Sequence, residues 1–135
     1  MLQSVKYKII IYALLGAVLL VLLIFGAYFF TAQSRDYQRL ADLKVWQNIL
    51  SDYYIKNGTY AVPGCDSGRL LSRCLTAKAG NETIINISDP INAGPYQYTV
   101  ADLSDSDYEI NFSLEAGIGG LKPGQYIWTK NGVKR

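Results

Sequence analysis

The chain has no histidine, only two cysteines among its 135 residues, and no acidic residue before Asp36. Each absence narrows the function classes. Without histidine, a serine or cysteine nucleophile would need an unusual base, and no nucleophile–base pair is visible. An enzyme is therefore not expected, and no catalytic or cofactor-binding residue is assigned. Two cysteines without histidine do not make an ordinary four-ligand zinc site. Cys65 and Cys74 also lack the spacing of a Cys-x-x-Cys redox motif. The glycine-rich stretch 117–124 lacks the Lys-Ser/Thr ending of a phosphate loop and reads as a flexible turn. There is no basic block: 13 Lys and Arg are scattered among 11 acids for a formal charge of +2, so nucleic acid is not indicated. No proline occurs before Pro63, so nothing forces a break in the chain's first half.

What is present is a long apolar run. Residues 9–30 contain Leu14, Leu15, Leu19, Leu20, Leu22, Leu23, Ile24 and Phe25, and no charge intervenes between Lys8 and Arg35. As a helix, about 22 residues at 1.5 Å each span roughly 33 Å, the thickness of a bilayer core. The run is longer than the apolar core of a cleaved signal peptide, and Tyr28-Phe29-Phe30 is a poor cleavage context, so an anchor is expected. Those aromatics fit the outer interfacial belt. Lys6 and Lys8 precede the run, which places residues 1–8 in the cytoplasm and the rest of the chain outside.

From Arg35 the helical spacing continues but becomes amphipathic. Tyr37, Leu40, Ala41, Leu43, Val45, Trp46, Ile49, Leu50, Tyr53 and Tyr54 recur at mostly three- and four-residue intervals and are expected to form the buried stripe. Arg35, Arg39, Asp42, Lys44 and Asp52 are expected on the solvent side, with Asp36 and Arg39 as an exposed pair contributing a few tenths of a kcal/mol. Asn57-Gly58 ends the helix with the residue type favoured at a left-handed cap. The expected division is a cytoplasmic 1–8, a transmembrane helix 9–30, its amphipathic continuation 31–56, and an extracytoplasmic head 57–135.

The head reads as α+β. Residues 66–78 suggest a short helix with Leu70, Leu71, Cys74 and Leu75 on its apolar face, and 83–87 a further apolar crossing. Tyr96, Tyr98 and Val100 alternate with Gln97 and Thr99. Tyr108, Ile110, Phe112 and Leu114 alternate with Glu109, Asn111 and Ser113. Both patterns have the period of half-buried strands, joined through 102–107 as an antiparallel hairpin. Tyr126, Ile127 and Trp128 form a third strand, followed by a turn at Lys130-Asn131-Gly132. A small antiparallel sheet of three or four strands packed on the amphipathic helix is expected. Cys65 and Cys74 are expected to be joined as a disulfide in an oxidising compartment. Closing that short loop would stabilise the fold by roughly 2.5 kcal/mol in the chain-entropy description.

Two further patterns have ordinary explanations. Asp102, Asp105 and Asp107 could supply carboxylate oxygens to calcium, but Asp and Ser are common turn residues, and a solvated hairpin turn is the preferred reading. Asn57, Asn81, Asn86 and Asn111 each begin an Asn-x-Ser/Thr triplet, read as chance in this polar composition.

The run Arg35-Asp36-Tyr37-Gln38-Arg39-Leu40-Ala41-Asp42-Leu43, then Tyr53-Tyr54, Asn57-Gly58-Thr59-Tyr60 and Pro63, resembles type IV pilins and the major pseudopilins of type II secretion. Their helix ends commonly read RDxxRxxDLxxLQxAL, followed by YY, NGxYP and a cysteine. Asp89-Pro90 through Tyr96-Gln97-Tyr98 is similar to the family's DPWGNPYQY segment, without its tryptophan. The family's processing glycine has no counterpart before the apolar run, and Val5 stands where a fifth-position glutamate would be. The resemblance implies a pilin-like fold and a structural subunit of a type IV pilus or pseudopilus-like filament. Its partners would be copies of itself or related pilins, contacted through the N-terminal helix, and membrane lipid. The alternative is a membrane-tethered minor, accessory or binding domain that does not polymerise. A further reading makes exposed aromatics such as Trp128 the ligand contacts of an unrelated anchored domain.

Overall fold

A computed structural model describes residues 2–75 and 87–135 of the chain. One unbroken helix, α1, runs Leu2–Asn57. Its 56 residues extend about 84 Å at 1.5 Å per residue. The absence of proline and the strong helix formers throughout make this continuity possible. The stop is local. Gly58 adopts φ +72° and donates its N–H to the Tyr54 carbonyl at 2.7 Å, while the Asn57 side-chain amide donates to the Tyr53 carbonyl at 2.8 Å. Glycine takes that left-handed conformation without a Cβ penalty.

The head is a four-stranded antiparallel meander. Its strands are β1 (Thr99–Leu103), β2 (Tyr108–Leu114), β3 (Gly124–Thr129) and β4 (Gly132–Lys134). Their spatial order follows the chain. Ile110 is opposite both Val100 and Trp128, and Phe112 is opposite Tyr126, so one face of the sheet is continuously apolar. That face packs on α1. Leu43, Trp46 and Leu50 meet Val100, Tyr108, Ile110, Phe112, Leu114, Tyr126 and Trp128 in one core. An α+β head on a long helix is what the alternating and helical periods dictate.

The register runs antiparallel to the helix. Tyr108, at the start of β2, sits edge-on to Tyr60, which stacks on Tyr54 near the far end of α1. Glu115, just past the end of β2, sits beside Asp36. The outer edge of β1 is covered by the segment leading into the short helix α2 (Leu71–Leu75). Gly68 and Leu71 donate to the Val100 and Tyr98 carbonyls, and Val100 donates back to Arg69. Covering an edge in this way removes a template for unwanted strand pairing.

Three expectations are corrected. Tyr96 does not open β1; its N–H closes a turn onto the Ala93 carbonyl at 3.1 Å, and the ladder begins at Thr99. Tyr37, Ala41, Val45 and Tyr54 lie outside the buried stripe and are exposed. The stripe itself is 32, 36, 39, 43, 46 and 50, so Asp36 and Arg39 occupy head-facing positions rather than the solvent face. The expected apolar crossing at 83–87 falls mostly outside the described residues, as does the end of the expected 66–78 helix.

Candidate functional site

Two features distinguish α1, one on each half. On the first, Tyr7 to Phe30 carries no cover. Ile11, the least exposed of its large apolar side chains, is 44% accessible, and Phe30 is 75% accessible. Among the described residues, α1 is the one helix long and apolar enough to cross a membrane.

On the second half, Arg39 is fully buried at the junction of helix and head. Its guanidinium binds Asp89 through two parallel hydrogen bonds, Nε to Oδ2 at 2.5 Å and Nη2 to Oδ1 at 3.0 Å. Nη1 donates to Asp36 Oδ1 and to Glu115 Oε1, each at 2.7 Å. The Tyr96 ring caps the guanidinium, with its centroid 4.8 Å away. Arg35 adds a second fork, Nε and Nη2 to the two Glu115 oxygens at 2.8 and 2.6 Å. The planar guanidinium matches a carboxylate in this way, and such charge-assisted pairs are among the stronger hydrogen bonds.

Two guanidinium groups thus face three carboxylates. The excess negative charge is met by backbone. Asp36 accepts the N–H groups of Glu115, Ala116 and Gly117 at 2.9, 2.8 and 2.8 Å. Asp89 accepts the N–H of Ile91 at 2.8 Å. Gly117 has φ +87°, and a Cβ there would collide with the Leu121 carbonyl oxygen. The stretch expected to be a flexible turn is therefore a shaped loop that presents its N–H groups to the helix.

The electrostatics agree with the geometry. Burial alone would lower the Arg39 pKa, but its hydrogen bonds to Asp89, Glu115 and Asp36 more than offset it, and the net direction is up. The hydrogen bond from Arg35, joined by those from Arg39, holds Glu115 below the usual carboxylate range. Neighbouring Asp42 moves the other way: burial raises it, against a 2.9 Å hydrogen bond donated by the Tyr98 hydroxyl. Arginines fixed in charge and carboxylates held by them do not shuttle protons; chemically, the cluster is a clamp.

Sequence reasoning read Asp36 and Arg39 as an exposed pair and passed over Asp89 and Glu115. The usable signal was phase: counting back from Leu50, Trp46 and Leu43 in steps of three and four lands on 39 and 36. In the sequence Asp89 stands out only as the start of a segment resembling the pilin family's, and Glu115 not at all as a partner; they reach the site from 50 and 76 residues away from Arg39.

Cys65 and Cys74 are both buried and stand as free thiols within hydrogen-bonding reach of each other. Burial, and then Cys74, pushes the Cys65 thiol up to about 12. In the acidic turn, Asp105 accepts from Thr59 Oγ1 at 2.9 Å and Asp107 Oδ1 accepts its neighbour Tyr108's N–H at 2.8 Å. Among the described residues, no group of three His, Cys, Asp or Glu is placed to hold a metal ion. Trp128 is buried in the core at 9% exposure, which corrects its reading as an exposed ligand contact. The sheet's outer side instead carries an open groove of about 500 Å³, lined by Gln97, Thr99, Asn111, Ser113, Gln125 and Arg135 among others. No family model, curated protein or solved structure matches this chain.

Proposed function

We propose that the chain is a structural subunit of a type IV pilus or pseudopilus-like filament, held in the membrane by its N-terminal helix before assembly. One observation carries the reading: 9–30 is apolar and uncovered on all sides, yet it continues without a break into a helix half that a sheet covers. A helix apolar all round needs lipid or other helices around it. A head clamped to the far half leaves the near half free to exchange one for the other. The pilin-like run from Arg35 to Pro63 supports the same reading, and the Arg39 clamp gives part of that run a physical role.

The alternative is a tethered accessory or binding domain that does not polymerise. One observation favours it: the open groove on the outer face of the sheet. Electron microscopy of sheared surface material, with immunodetection of this chain, separates the two. Labelled filaments are expected. Recovery only in detergent-soluble membranes, with no labelled filament, would favour the tethered domain. Orientation is tested separately: a reporter active only outside the cytoplasm, fused after Arg135, should be active. Activity only from a cytoplasmic reporter would reverse the assignment made from Lys6 and Lys8.

A further inference from the structure

The helix–head junction lies close to the end of the apolar run. Ala32 is buried at 4%, two positions beyond Phe30 at 75%. Two residues of helix are about 3 Å, whereas the headgroup layer of one leaflet is roughly 5–7 Å deep. With 9–30 in a bilayer, the near end of the head therefore lies within the headgroup layer rather than above it.

The charges at that end are sorted. The segments gathered there are the 89–96 loop, the 115–124 loop and the end of β4. Their acids, Asp89 and Glu115, and Asp36 from the helix are all held by Arg39 and Arg35. The exposed side-chain charges left on these segments are Lys122, Arg135 and Lys134, and Lys134 is engaged by Glu109. Tyr126 sits between Lys122 and Arg135: its hydroxyl donates to the Lys122 carbonyl at 2.8 Å, and its ring lies 6.0 Å from the Arg135 guanidinium. Arg35 adds a partly open guanidinium, 31% accessible, on the helix itself.

We infer that this end of the head is a lipid-docking surface, with Lys122 and Arg135 seated against the phosphates of anionic lipid headgroups. The clamp then has a second effect besides holding the head. By sequestering three carboxylates it removes the charges that an anionic surface would repel. The inference rests on the apolar run lying in a bilayer and not on filament assembly.

The test uses the full chain, one copy per nanodisc, in phosphatidylcholine alone and with about a third phosphatidylglycerol. Lysine acetylation is followed by mass spectrometry, with Lys56 at the far end of α1 as internal reference. In the anionic discs, Lys122 should label about five-fold more slowly relative to Lys56, the factor for one cation at an anionic surface. High salt should remove the difference. Arg135→Gln should reduce it, with the fold monitored by circular dichroism. Equal Lys122 labelling in the two lipids would overturn the proposal. So would protection that appears only with two copies per disc, which would make the surface a contact between copies. Resistance of the chain to alkaline extraction is scored in parallel, so that failure to insert is distinguished from failure to dock.

Discussion

Arg39 is the residue on which the helix–head junction depends most. It supplies four hydrogen bonds to three carboxylates in a place without water access. Removing one member of such a group leaves uncompensated buried charge, which costs far more than the group contributes net. Arg39→Ala is expected to lower the unfolding free energy by about 3–5 kcal/mol. Arg39→Lys should recover only part of it, because an ammonium cannot form the paired fork to Asp89. Denaturant titration of the full chain in micelles measures both; wild-type stability in the alanine variant would mean that the carboxylates are solvated. Glu115 gives a pH signature. Its folded pKa lies below its unfolded value, so its contribution is complete at neutral pH and is lost as the pH falls through the lowered folded value. Asp42 has the opposite sign: raised by burial, it costs stability when ionised and relieves that cost on protonation. Glu115→Gln should therefore destabilise the chain at pH 7, and the gap to wild type should close as the pH falls below the carboxylate range. A gap independent of pH would assign Glu115 a role in packing alone.

The elements were legible in proportion to how local their causes are. The Asn57-Gly58 stop, the hairpin and the alternation in β2 depend on neighbours in sequence; the stop and β2 stand where the sequence placed them, and the hairpin connection, expected over 102–107, is shortened to 104–107 because β1 runs on to Leu103. β4 was harder to see, because three residues after a turn carry little pattern of their own. The face of α1 was read by hydrophobicity, so Tyr37, Val45 and Tyr54 were drawn into the stripe and Asp36 and Arg39 left out of it. The error is physical rather than statistical: a charge is disfavoured in a core unless it is paired, and the pairing partners lie in loops far along the chain. At Trp46 the two ways of reading agree. It is 1% exposed, in the centre of the stripe, among the strands. Trp46→Ala should cost about 3–5 kcal/mol, a large part of the stability of a head this small. An unchanged melting temperature would mean that the helix face packs less tightly than its burial indicates.

For the whole molecule, the helix-plus-sheet architecture was visible in sequence, whereas the clamp that joins its parts was not. Cys65 and Cys74 belong to this scale because their state reports the compartment of the head. Two buried neighbouring thiols stand close enough to be joined if the head matures in an oxidising compartment. Thiol labelling of denatured, unreduced protein should find none free; two labelled cysteines per chain would refute the bridge. The unbroken α1 has a mechanical consequence as well. With neither proline nor hinge between its halves, α1 is one stiff lever, whose near arm would lie in the bilayer of the proposed membrane-held state. A tilt of roughly 20°, the average for helices in membranes, would carry Asn57 sideways by about 14 Å, since it lies about 40 Å beyond Phe30. Bilayer thickness, by setting that tilt, would thus steer the direction in which the head faces its neighbours.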